Sequence, residues 1–123
     1  MKPKELVTEW VRRFNLADVD GMMDLYHEKA VNHQIVTDPL IGKDAIRSMF
    51  ETEFGRAKMI CEIENIFEDG EWAILEWRDP LGLRGCGFFH VVNDKILAQR
   101  GYFDQLNFFK IQNLSIPDSY LDK

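Results

Sequence analysis

Asp69-Gly70, Asp79-Pro80-Leu81-Gly82 and Asn93-Asp94-Lys95 punctuate the last half of the chain, and their reading decides the fold. Asp-Gly is a strong hairpin signal, because both central residues of a type I′ turn need φ > 0. The three turns divide one apolar run into four strands, predicted over roughly 57–68, 71–79, 83–92 and 96–109. An antiparallel meander of this kind, preceded by helices, builds a cup with an apolar interior and a few polar groups.

Upstream the period changes from two to 3.6. Leu6, Val7, Trp10, Val11 and Phe14 recur at helical spacing, with Glu5, Glu9, Arg12 and Arg13 opposite, and Pro3 suits the first helical turn. Asp18 is the expected N-cap of a short second helix carrying Met22, Met23, Leu25 and Tyr26. Residues 30–36 read as a strand ended by Asp38-Pro39. Gly42 then opens a third helix with Ala45, Ile46, Met49, Phe50 and Phe54 inward, and Gly55 is placed to stop it. The expected class is α+β: a cystatin-like cone, three N-terminal helices packed on a strongly curved, mixed but mainly antiparallel sheet.

A chain of 123 residues with 46% hydrophobic residues suits one domain, residues 1–123. Its apolar tail, 112–123, is expected to dock on its own or a partner subunit. A net charge of −6 with scattered lysines and arginines argues against nucleic acid. No apolar run reaches membrane length and the N-terminus turns amphipathic at once, so neither a membrane nor a signal peptide is expected. Cys61 and Cys86 stand in apolar strand contexts without CxxC spacing, which points to a reducing, cytoplasmic setting. The three histidines lack metal-ligand spacing and no cofactor fingerprint is present, so no metal and no cofactor are expected.

The order helix–helix–strand–helix–meander resembles the nuclear transport factor 2-like superfamily, and within it the SnoaL-like proteins. The likeness is carried by Leu25-Tyr26-His27, by Pro39-Leu40-Ile41-Gly42-Lys43-Asp44-Ala45-Ile46, and by Asn93 through Asp104. It implies a cone-shaped small-molecule scaffold related to limonene epoxide hydrolase and ketosteroid isomerase. In the epoxide hydrolases an Arg-x-Asp and a last-strand Asp form an acid–base relay, while a first-strand Tyr and Asn hold water. Counted from the Asp69-Gly70 turn, the charged pair falls on Glu76 and Arg78 in reversed order. The water-holding positions fall on Asn32 and Gln34, and the last-strand Asp falls on Gly101. A literal match of Glu76-Trp77-Arg78-Asp79 would select Trp77 and Asp79 instead. The isomerase positions fall near Trp10, near His33 or Gln34, and near Phe88, and none keeps the isomerase's group.

Strand alternation places Glu76 and Arg78 on one face with Trp72, Ile74, Ile63 and Cys61. Gln99, Gly101 and Phe103 are expected opposite Phe89, Gly87 and Gly85, whose missing side chains would leave room beside Glu76 and Arg78. Two readings of that pair stand side by side: an acid–base site at the floor of the cup, or an ion pair orienting two strands. Trp10, Asn32, Gln34, Ile63, Trp72, Phe89, Gln99, Gly101 and Phe103 are the expected ligand-binding set, with His33, Asp79 and Asp104 as weaker candidates. The occupant is expected to be a small apolar or amphipathic molecule, turned over by an isomerase, cyclase or hydratase, or merely held; the remaining alternative is a structural dimer whose pocket is incidental. A homodimer is expected through the outer face of the meander, carrying Leu75, Trp77, Leu106, Phe108 and Phe109.

Overall fold

A computed structural model describes residues 1–120. Helix α1 (Pro3–Asn15) buries the expected stripe of Leu6, Val7, Trp10, Val11 and Phe14. Its start is held by the Lys2 N–H, which donates to Glu5 Oε1 at 3.2 Å. Asp18 caps α2 (Val19–Met23) by accepting from the Gly21 N–H at 3.0 Å. The helix ends sooner than its apolar residues suggested, and Tyr26 already opens strand β1 (Tyr26–Gln34). After the two-residue β2 (Leu40–Ile41), α3 (Lys43–Arg56) runs through Gly55 rather than stopping there.

The meander comprises β3 (Glu62–Asp69), β4 (Trp72–Arg78), β5 (Arg84–Val92) and β6 (Lys95–Phe103). The sheet order is β2-β1-β6-β5-β4-β3, antiparallel throughout except for the parallel β1–β6 pair. Residues 57–61 lie outside β3. There the Asn15 side chain both donates to the Cys61 carbonyl and accepts from its N–H, at 3.0 and 2.7 Å. This pairing satisfies the backbone of an irregular segment that no strand completes.

The last hairpin reaches the expected pairing by a different route. Asn93 and Asp94 form a two-residue loop with φ of 51° and 62°, the pattern of a type I′ turn. A bulge between His90 and Val91 then shifts the register, so Gln99, Gly101 and Phe103 still face Phe89, Gly87 and Gly85. Beyond Phe103 the chain leaves the sheet, contrary to a long strand to 109. Asp104 Oδ1 accepts from the Asn107 N–H at 3.1 Å and caps α4 (Gln105–Ile111). Leu106, Phe108 and Phe109 therefore ride on a helix with no buried residue. The tail folds back on α4, where the Tyr120 hydroxyl donates to Gln105 Oε1 and its ring meets Phe109 at 5.6 Å. Leu121 lies outside the described residues.

One face of the sheet is covered by α1, α2 and α3, and it holds the core. Ala73 and Leu75 of β4, Phe89 and Val91 of β5, and Ala30 of β1 pack there against Trp10, Phe14 and Phe50. The fold is therefore a mixed six-stranded sheet with helices on one side, and α4 is an addition to the three expected helices.

Candidate functional site on the helix-covered face

The site is built by the parallel pairing of β1 and β6. In β1 the residues Tyr26, Ala30 and Asn32 are buried and point under the helices. Gln99 sits beside Asn32 and Gly101 beside Gln34 in the register. Asn32 and Gln99, at 1% and 5% exposure, are the only buried polar or charged residues other than Tyr26 among the described ones. Buried polar groups persist where they bond one another, and these do.

Trp10 Nε1 donates to the Tyr26 hydroxyl at 3.0 Å, and Tyr26 donates to Gln99 Oε1. Asn32 Nδ2 donates to the same oxygen at 3.2 Å, while Asn32 Oδ1 accepts from Gln34 Nε2 at 3.0 Å. The result is one continuous row from helix α1 across β1 and β6. Burial pushes the Tyr26 hydroxyl well above the ordinary tyrosine range, although the N–H donated by Trp10 acts the other way. It is therefore a neutral group at physiological pH.

Aromatic rings wall this row. Trp10 lies edge-on to Phe89 with centroids 5.2 Å apart and stacks on Phe14 at 5.1 Å. Two glycines let side chains lie flat on the sheet. A Cβ on Gly101 would fall 2.0 Å from Gln34 Oε1, and one on Gly85 would fall 2.4 Å from the Trp77 ring. Leu40, Met49, Phe54, Met59 and Trp77 are only partly buried and form an apolar rim around the core.

The charged pair stands elsewhere. Arg78 faces Arg84, Glu76 faces Cys86 and Leu75 faces Gly87, so the loop joining β4 to β5 spans five residues, 79–83. One residue more would have set Glu76 and Arg78 beside the glycines. As it is, Leu75 and Trp77 face Gly87 and Gly85 under the helices, and Glu76 and Arg78 project from the open face. Physically this is the cheaper choice, since two charges stay hydrated while Ala73 and Leu75 leave water. Glu76 Oε1 accepts from Asn65 Nδ2 at 2.8 Å, and Arg78 Nε lies 3.4 Å from Glu62 Oε1, so the pair does not bond together. Leu75 and Trp77 are accordingly not on the outer face either.

Of the expected ligand-binding set, Trp10, Asn32, Gln34, Phe89, Gln99, Gly101 and Phe103 share the helix-covered side. Trp72 does not: on the open face its ring stacks on His90 at 4.6 Å, under the Arg100 guanidinium at 4.9 Å. Ile63 is 43% exposed on edge strand β3. His33 Nε2 sits 3.0 Å from the Thr37 carbonyl, outside the row. Asp79 Oδ1 accepts from the Leu81 and Leu83 N–H groups, each at 2.9 Å, and thereby fixes the five-residue loop. Asp104 is the α4 cap. The member missed by sequence is Tyr26, read as a core residue of the second helix. Its position on the even-numbered side of β1, in step with Asn32 and Gln34, was the available signal. Among the described residues no cluster of three His, Cys, Asp or Glu side chains is arranged to hold a metal ion.

The SnoaL-like domain family matches residues 7–99, and the chain belongs to that family. Three solved structures are among those similar to it. An LEH-like epoxide hydrolase from M. tuberculosis is 23% identical, with TM-score 0.77 over 87% of this chain and 86% of that one. A nuclear transport factor 2-like protein of unknown function from Cytophaga hutchinsonii is 17% identical, with TM-score 0.77 over 89% and 96%. A cystatin fold protein from Novosphingobium aromaticivorans is 17% identical, with TM-score 0.75 over 83% and 98%. At these identities the likeness establishes the fold. No curated protein matches the chain.

Proposed function

We propose that this SnoaL-like protein binds a small apolar or amphipathic molecule on the helix-covered face, without a carboxylate acid–base pair. One observation carries the reading: the buried row of Trp10, Tyr26, Gln99, Asn32 and Gln34 inside an aromatic wall. A few fixed polar groups among apolar side chains are what orient a small ligand. The family scaffold hosts unrelated chemistries, so the site and not the fold decides between them.

The isomerase, cyclase or hydratase alternative draws support from the likeness to an epoxide hydrolase. It would have to run on Tyr26 and neutral amides, because Glu76 and Arg78 project from the other face. Tyr26 keeps its proton and gives it to Gln99, which suits positioning better than proton abstraction. Native mass spectrometry of the gently purified protein tests the choice of face. A retained small molecule should be lost in Gln99→Met and kept in Glu76→Gln; the opposite pattern overturns the reading.

Residues 1–123 are taken as one functional domain, and a homodimer through the open face completes the proposal. That face carries Trp72, Ile74, Phe88 and Tyr102 with Arg100 set over the Trp72 and Phe88 rings. Rows of aromatic and mixed-sign residues suit an isologous contact with a second copy. Light scattering across micromolar concentrations should give twice the chain mass, and a strict monomer contradicts it. No described helix is long and apolar enough to cross a membrane. The free thiols Cys61 and Cys86 support placement in a reducing compartment such as the cytoplasm.

A further inference from the structure

The hydrogen-bond row has a direction, and Trp10 sets it. An indole N–H can only donate. Since Trp10 Nε1 donates to the Tyr26 hydroxyl, Tyr26 gives its own hydrogen onward, to Gln99 Oε1. That contact turns Gln99 so that Nε2 is the end left over. Asn32 meets the same oxygen and must present Nδ2, which leaves its Oδ1 to accept from Gln34 Nε2. Two amide ends remain without a bond to any described residue: the donor Gln99 Nε2 and the acceptor Gln34 Oε1. Among the described residues, Glu62 Oε1 is the only fully occluded side-chain polar atom without a hydrogen bond, and it still lies in an ion pair with Arg78. Neither free end is therefore fully occluded, although the Gln99 residue is 5% exposed.

Charge narrows the choice further. The buried polar residues of this face are neutral, and on the helices that cover it Arg13 pairs with Glu9, Lys43 with Glu28 and Arg47 with Asp20. An anion placed here would lose its water and gain no counter-charge. On the reading of this face as a ligand cup, we propose that it selects an uncharged amide, a carboxamide or lactam, over the matching carboxylate. The ligand's carbonyl accepts from Gln99 Nε2 and its N–H donates to Gln34 Oε1, extending the row of side-chain amides. A carboxylate has acceptors only, and would set lone pairs against Gln34 Oε1.

Three probes test this by calorimetric titration at neutral pH: cyclohexanecarboxamide, its N,N-dimethyl derivative and cyclohexanecarboxylate. The carboxamide should bind roughly tenfold tighter than the dimethyl amide, which keeps the acceptor and lacks the donor, and the carboxylate should bind weakest. Gln34→Met keeps length at a half-buried position and removes the acceptor. It also removes the donor to Asn32 Oδ1, a loss that both amides feel, so the readout is the ratio: the roughly tenfold preference for the carboxamide over the dimethyl amide should disappear. Equal binding of carboxamide and carboxylate, or an unaltered amide preference in Gln34→Met, overturns the amide assignment and leaves a ligand cup of other chemistry. Failure of all three probes to bind the native chain overturns the cup and the assignment together. Circular dichroism and the melting temperature of Gln34→Met show that any loss is not unfolding.

Discussion

The two faces of one sheet differ in how they handle polarity. Under the helices the polar groups are neutral, few and joined in one directed row from Trp10 to Gln34. On the open side charges are numerous and paired locally, Arg78 with Glu62 and Arg84 with Glu64, while His90 hydrogen-bonds Glu71. Each strand supplies both sides by alternation, so a single residue of register separates a candidate binding group from a solvated ion pair. The difference teaches that charge along a strand is a poor marker of this site, while an isolated amide among apolar residues is a good one.

The sharpest way to break the comparison is to carve the same volume from both sides of β4. Leu75→Ala removes a side chain at 1% exposure and should cost about 3 kcal/mol in urea denaturation. Ile74→Ala, on the open face, should cost about 1 kcal/mol or less in the isolated chain. Equal losses would mean that the faces are not distinguished by burial.

A second comparison sets an amide against a charge. Gln99→Met leaves the Tyr26 hydroxyl and Asn32 Nδ2 without their shared acceptor and should destabilise by about 2 kcal/mol. Glu76→Gln, still able to accept from Asn65, should stay within about 0.5 kcal/mol.

Alkaline titration sharpens the contrast in another variable. Burial, followed by the neighbouring Glu62 charge, pushes the Cys61 thiol up to about 12, and burial raises Tyr26 as well. Both groups are neutral when protonated, and their folded values lie above the unfolded ones. Their contribution is thus complete below about pH 9 and is lost as pH rises toward 12, because the unfolded chain releases protons first. Stability should fall by about 1.4 kcal/mol per pH unit for each group over its window. Cys61→Ala should flatten the part between about pH 9 and 10; an unchanged slope there contradicts the assignment. The smallest effect belongs to the open face: Arg78→Met, whose side chain is 52% exposed beside Glu62, should change stability by less than about 0.5 kcal/mol.

Much of this architecture was legible in the sequence. The α1 stripe and the places of the three turns follow from period and turn chemistry, but the first hairpin turns on Gly70-Glu71 rather than Asp69-Gly70, and the pairing of Gln99, Gly101 and Phe103 with Phe89, Gly87 and Gly85 is reached only through a bulge. What failed was joining β4 to β5. Asp79-Pro80-Leu81-Gly82 marks a turn but does not fix its length, and Asp79 stabilises five residues by accepting twice from the loop backbone. Trp72 and Ile74 are as apolar as Ala73 and Leu75, so β4 alone offers no alternation by which to correct the error. The helix after Phe103 was hidden for a similar reason. Leu106, Phe108 and Phe109 are good strand residues, and only the Asp104 cap announces a change of period. Tyr26 escaped because its partners Trp10 and Gln99 lie 16 and 73 residues away.

The most direct test of the central claim is a residue-by-residue NMR titration of the native chain with cyclohexanecarboxamide. Signals of Asn32, Gln34, Phe89, Gln99 and Gly101 should move together, with the Gln99 and Gln34 side-chain amides moving most, while Trp72, Glu76, Arg78 and Arg100 stay in place. Shifts gathered around Glu76 and Arg78, with the Gln99 side chain unmoved, would contradict the account.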